Sequence, residues 1–224
     1  MAKDFTSVVN RTTSESILAT NSVIRNTYIL LSLTLLFSGV TAGIAMVTNA
    51  PPLGLVTLVV YFGLFFLTNA LRNSAWGIVS VFALTGFMGF TLGPILNMYM
   101  QAFANGSQLI MTALGGTGMI FLGLSGYALT TRTNFSYMAG FMAAASMVLL
   151  FAIVLSLFFN SPILQLAISC GFMLFSSAMI LFETSNIING GERNYIMATI
   201  SLYLAIYNLF ISLLQILGAF NNRN

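Results

Sequence analysis

Glu183 is the residue in this chain best placed to do chemistry. It closes the apolar run Ser177-Ala-Met-Ile-Leu-Phe-Glu183, whereas Asp4, Glu15 and Glu192 fall in polar stretches. A carboxylate at the edge of such a run is costly unless water or a partner meets it, which marks it as a functional position. Other chemistries fail for want of residues. Gly123-Leu-Ser125-Gly126 has the spacing of an intramembrane serine nucleophile, but such a serine needs a general base. The chain has no histidine, and its one lysine is Lys3. The motif therefore reads as a small-residue packing patch. A zinc site needs three or four His, Cys or acid ligands, and Cys170 stands alone as a small packing residue. A tight calcium cage needs about 6–8 oxygen ligands, several of them carboxylates. The expectation is a protein with no enzymatic activity, cofactor or resident metal. Weak cation passage needs no such cage and stays open as a reading.

The elements that hold Glu183 follow from composition. Of 224 residues, 58% are hydrophobic and 5% charged, against about 25% charged in a soluble domain. Seven apolar runs, uncharged except for Glu183, cover 27–48, 53–71, 76–98, 108–129, 135–159, 162–185 and 195–217, each near the roughly 20 residues that cross a bilayer as helix. None alternates as a barrel strand would. The fold class predicted is all-α: a polytopic membrane protein with seven transmembrane helices. The short gaps leave no room for a soluble domain. Residues 1–25 read as a flexible polar tail, 26–218 as the bundle and 219–224 as a short C-terminal tail. The net charge of +3 contains no basic cluster, which argues against a nucleic-acid partner and leaves the lipid bilayer as the chain's surroundings.

With the N-terminus inside, Lys3, Arg11, Arg25, Arg72, Arg132 and Arg193 all lie on the inner side, and only Arg223 lies outside. This is the positive-inside asymmetry, and seven spans then put the C-terminus outside. From Pro162 to Glu183 a helix rises about 32 Å, close to the hydrocarbon thickness of about 30 Å. Glu183 thus sits near the inner boundary. There it either snorkels to the interface, or is desolvated by neighbouring helices and pairs with an arginine. Arg72 is the first candidate, with Arg132 and Arg193 as alternatives.

The last run carries Ser201, Asn208, Ser212 and Gln215 on one helical face. A polar stripe on a spanning helix faces other helices, so the seventh helix is expected in the middle of the bundle. Gly39-Val-Thr-Ala-Gly43 and Gly89-Phe-Thr-Leu-Gly93 share the small-xxx-small spacing of close helix contacts, and both are expected to pack inside the bundle. Pro94 is expected to kink the third helix.

Two C-terminal stretches give a family resemblance. They are Ile180-Leu-Phe-Glu-Thr-Ser-Asn-Ile-Ile-Asn-Gly-Gly-Glu-Arg-Asn-Tyr-Ile196 and Ser201-Leu-Tyr-Leu-Ala-Ile-Tyr-Asn-Leu-Phe-Ile-Ser-Leu-Leu-Gln-Ile-Leu-Gly218. Both resemble the Bax-inhibitor (TMBIM) family. Arg25-Asn-Thr-Tyr28, Gly93-Pro-Ile-Leu-Asn97 and Leu129-Thr-Thr-Arg132 are similar to its bacterial inner-membrane branch that modulates the AAA protease FtsH. The resemblance implies six helices packed around a central seventh. It also implies, for many members, two acids on the sixth and seventh helices that form a pH-responsive pair tied to a calcium leak, contacted by an arginine of the second helix. Glu183 occupies the first acidic position and Arg72 lies near the arginine position, but the second acidic position is Ala205. Two adjacent carboxylates can share a proton because their charges repel, and a lone glutamate lacks that switch.

The reading is therefore a polar lock or ion path at Glu183, Arg72 and Asn208 within a non-enzymatic regulator that binds and restrains an FtsH-type protease. A pH-sensitive calcium or proton leak is the alternative. The protease handle is expected in the N-terminal tail, at Lys3, Asp4, Arg11 and Glu15. The implied location is the bacterial inner membrane, with the N-terminus cytoplasmic and the C-terminus periplasmic.

Overall fold

The computed structural model describes residues 2–159 and 161–221, with side chains described from Asn21 onward. Its helices are α1 (Ala2–Val47), α2 (Leu55–Leu71), α3 (Trp76–Ala102), α4 (Gly106–Thr131), α5 (Met138–Phe158), α6 (Pro162–Ile188) and α7 (Tyr195–Asn221). Six contain stretches long and apolar enough to cross a bilayer, that of α1 being Asn21–Val47, and α2 is a shorter apolar helix. The chain is thus a polytopic all-α membrane protein. The handle residues Lys3, Asp4, Arg11 and Glu15 lie outside the residues whose side chains are described.

Local chemistry sets the ends. Asn49 and Gly54 have φ of 48° and 55°, and Pro51 and Pro52 between them cannot continue α1. Pro162 starts α6, where its missing N–H costs nothing. Gly190, at φ 74°, ends α6 in the left-handed region that favours glycine. Asn194 caps α7: its Oδ1 accepts from the backbone N–H groups of Ile196 at 3.0 Å and Met197 at 3.2 Å. Pro94 lies inside α3, which continues through it to Ala102.

The most buried helix is α7, and it packs against α1, α3, α4 and α6, while α2 rests on α3 and α5 on α6. The expected ring of six around α7 is therefore an inner set of four with two outer helices. Lipid-facing side chains such as Phe62 and Phe66 on α2 and Phe151 and Leu157 on α5 are exposed, as a bilayer requires.

The core has three parts. Towards the end that carries the α2–α3, α4–α5 and α6–α7 connections, Leu31, Leu84, Ile187, Ile200 and Tyr203 form one cluster. Towards the other end, Leu96, Tyr99, Leu109, Phe210 and Leu214 form a second. Between α6 and α7 lie Ile180, Ala205 and Leu209. Tyr203 fastens three helices: its hydroxyl donates to the Thr85 carbonyl at 3.1 Å and meets Ser38 Oγ at 2.6 Å.

The two glycine pairs differ. A Cβ on Gly89 would overlap the Ser38 carbonyl, and one on Gly93 would overlap Ala45 and come within 2.9 Å of its carbonyl carbon. This is the close α1–α3 crossing. Around Gly39 and Gly43 a Cβ would meet nothing within 4 Å. The expectation of packing there is corrected: these glycines face an open cleft of about 290 Å³ between α1 and α4, backed by Tyr207 and Phe210 of α7. The two helices approach at Tyr28 and Phe121, whose rings are 6.2 Å apart.

Candidate functional site

The end of the bundle that carries the α2–α3, α4–α5 and α6–α7 connections is organised by the last two turns of α6. Glu183, Thr184 and Ser185 are consecutive and all buried. Burying three polar side chains in a row is tolerable only if each finds a partner, and each does so in a different direction. Thr184 Oγ1 lies 3.4 Å from Tyr28 Oη of α1 and 3.3 Å from Ser125 Oγ of α4. Ser185 Oγ donates to the Thr133 carbonyl at 2.8 Å and accepts from the Phe135 N–H at 2.9 Å, which pins the α4–α5 connection. Glu183, 8% exposed, is hydrogen-bonded by Ser201 of α7 and by Asn186 on the following turn of α6, and it senses the charge of Glu192 in the α6–α7 connection.

The structure does not bring Arg72 to this carboxylate. Arg72 is exposed, and its Nη1 donates to Asn69 Oδ1 at 3.3 Å. Only its carbonyl joins the α6–α7 connection, accepting from Asn194 Nδ2 at 3.0 Å, while the same amide donates to Asn73 Oδ1. Arg132 and Arg193 are also exposed, and Arg193 donates to the Gly190 carbonyl at 3.4 Å. Helix rise sets the depth of a side chain but not its azimuth, and azimuth separates Glu183 from Arg72. The partner that meets Glu183 is Ser201, a member of the polar stripe. Its signal in the sequence is its position one turn before Ala205, on the same face of α7.

Ala205 is 4% exposed and packs with Ile180 and Leu209. The position where the family resemblance implies a second acid is apolar core here, one turn deeper than the Glu183–Ser201 contact. Asn208 is half-buried, with its carbonyl accepting from Ser212 Oγ. The stripe runs along α6, because its two ends meet that helix: Ser201 at Glu183 and Gln215 at Ser169, 2.7 Å away. Ser125, the serine of the Gly-Leu-Ser-Gly motif, is spent on Thr184. The Cys170 thiol is free and half-buried. Beyond the far end of the stripe lies a cavity of about 870 Å³ between α3, α6 and α7, with Gln165, Ser169 and Gln215 among its walls.

Similarity to known proteins covers nearly the whole chain. Residues 20–222 match the family model described as inhibitor of apoptosis-promoting Bax1. The chain is 61% identical over 199 residues to an uncharacterized protein of Pseudomonas aeruginosa, covering 88% of this chain and 89% of that one. It is 52% identical over 204 residues to the modulator of FtsH protease YccA of Escherichia coli (strain K12), covering 91% of this chain and 92% of that one. A second E. coli relative with the same identity and coverage is named inner membrane protein YccA.

Proposed function

This chain belongs to the family of the inhibitor of apoptosis-promoting Bax1, and from that premise we propose that it is a non-enzymatic regulator of the bacterial inner membrane that binds an FtsH-type AAA protease and restrains it. The observation that carries the reading is end-to-end similarity, at 52% identity, to a protein named for modulating that protease. Two features support it. One is the end of the bundle where Asn194 ties the α6–α7 connection to the α2–α3 turn and Ser185 ties the α4–α5 connection to α6. The other is the N-terminal segment, whose Lys3, Asp4, Arg11 and Glu15 we assign as the handle that the protease engages. ATP-driven proteases act on accessible chain ends. The N-terminus is assigned to the cytoplasm and the C-terminus to the periplasm, on the charge asymmetry.

Crosslinking and co-purification from native membranes test the partner, and recovery without any AAA protease would sink this reading. Removing residues 2–20 should abolish turnover by the protease and weaken inhibition; unchanged binding, turnover and inhibition would remove the handle.

One observation favours a second reading, a cation or proton leak: the buried Glu183 and the 870 Å³ cavity stand at opposite ends of one polar stripe. Against it, Ile180, Ala205 and Leu209 form an apolar cluster between them. Flux into liposomes that Glu183→Gln abolishes would favour the leak, and flux no greater than in empty liposomes would favour the regulator.

A further inference from the structure

We propose that the α6–α7 seam binds a water molecule at its centre, between Ser176 and Asn208. On α6, Ser169, Ser176 and Glu183 stand seven residues apart; on α7, so do Ser201, Asn208 and Gln215. Seven residues are two helical turns, so each set shares a face. The helices run antiparallel and pack against each other. The outer rungs of this ladder are made: Ser169 Oγ donates to Gln215 Oε1 at 2.7 Å, and Ser201 meets Glu183. The same register places Ser176 opposite Asn208.

That middle rung is incomplete. Ser176 is 1% exposed, and its Oγ has no hydrogen-bond partner among the described residues. The Asn208 amide likewise makes no side-chain hydrogen bond to them. A helical serine has an easy alternative, donation to the carbonyl four residues back. Ser177 on the same helix takes it, to Met173. Ser176 forgoes it.

Ser176 lies about 21 Å of helix from Pro162 and about 18 Å from Ile188, near mid-membrane, where no bulk water can solvate a stray hydroxyl. A water there needs two to four polar partners. Ser176 Oγ and both ends of the Asn208 amide supply them. A water there completes a set of three polar rungs spaced about 10 Å apart along the seam.

The sign of one substitution tests the idea. If the rung is dry, Ser176→Ala removes an unsatisfied buried hydroxyl and raises the Tm. If water fills it, Ser176→Ala breaks the bridge, and the Tm of the full-length protein should fall by about 2–4 °C. That fall should vanish in an Asn208→Leu background, where the bridge is already lost. A rise, no change, or a fall that persists beside Asn208→Leu overturns the proposal. Wild-type protein gives an independent readout by hydroxyl-radical footprinting in lipid vesicles. Met173 and Met179, which line the adjacent cluster, should be oxidised despite their depth, and more than in Ser176→Ala. Methionines left unoxidised in the wild type overturn it as well.

Discussion

Alanine at Gly93 is expected to loosen the bundle, while alanine at Gly39 or Gly43 is expected to tighten it. At the α1–α3 crossing, a Cβ on Gly93 meets main-chain atoms, the Ala45 carbonyl carbon at 2.9 Å and the Met46 nitrogen at 3.0 Å. Comfortable contact lies at about 3.5–4.0 Å, and main-chain atoms cannot rotate away. Helix α1 must therefore shift by roughly half an ångström or more along its contact, and overpacking of this kind costs about 1–3 kcal/mol. Gly39 and Gly43 have nothing within 4 Å of a new Cβ. There, alanine only removes the backbone freedom of glycine, a gain of about 0.5–1 kcal/mol. The two substitutions should differ by about 2–4 kcal/mol, a Tm gap on the order of 10 °C for a chain of this size. The single half-buried thiol, Cys170, suits a thiol-reactive dye that reports its exposure as the protein is heated in detergent. Gly39→Ala as damaging as Gly93→Ala would refute the assignment of close packing to one glycine pair and open space to the other.

Other expectations concern the polar end of the bundle. Asn194→Ala removes the α7 cap and the amide that holds the α2–α3 turn. Its cost should reach at least the ~1 kcal/mol of a lost cap, and Asn194→Asp should recover the cap but not the tie to Arg72, as read in a thermal melt. Double-mutant cycles should show coupling well above the ~0.5 kcal/mol limit of additivity between Glu183→Gln and Ser201→Ala, and none above it between Glu183→Gln and Arg72→Ala. Strong coupling to Arg72 would restore the ion-pair lock.

The spans are legible in the sequence because hydropathy reports what the bilayer must solvate. It does not report where a helix stops. Hydropathy ends the third run at Met98 and the sixth at Ser185, yet α3 reaches Ala102 and α6 reaches Ile188. The last turns of α6 are rich in polar residues and are held by side chains and loops of other elements. The stripe on α7 is legible for a similar reason, since a periodic set of polar residues has to face protein. Helix pairing is not. Gly39-xxx-Gly43 and Gly89-xxx-Gly93 have the same spacing, and only the packing of α1 on α3 tells them apart. Glu183 stands out from its neighbours in composition alone, but its partner depends on rotation about α6 and α7, which a one-dimensional depth estimate does not contain.

The shortness of α2 has a mechanical consequence. Its 17 residues make a rod about 26 Å long, a few ångströms less than the hydrocarbon of about 30 Å. The exposed Arg72 and Asn73 fix one end of this rod, and the Pro51–Pro52 turn fixes the other. Thinning of the lipid beside α2 to match it costs a fraction of a kcal/mol per ångström. Such dimples are elastic, and two that overlap cost less than two apart. The bilayer itself therefore draws proteins with short spans towards this side of the bundle, before any side chain touches another.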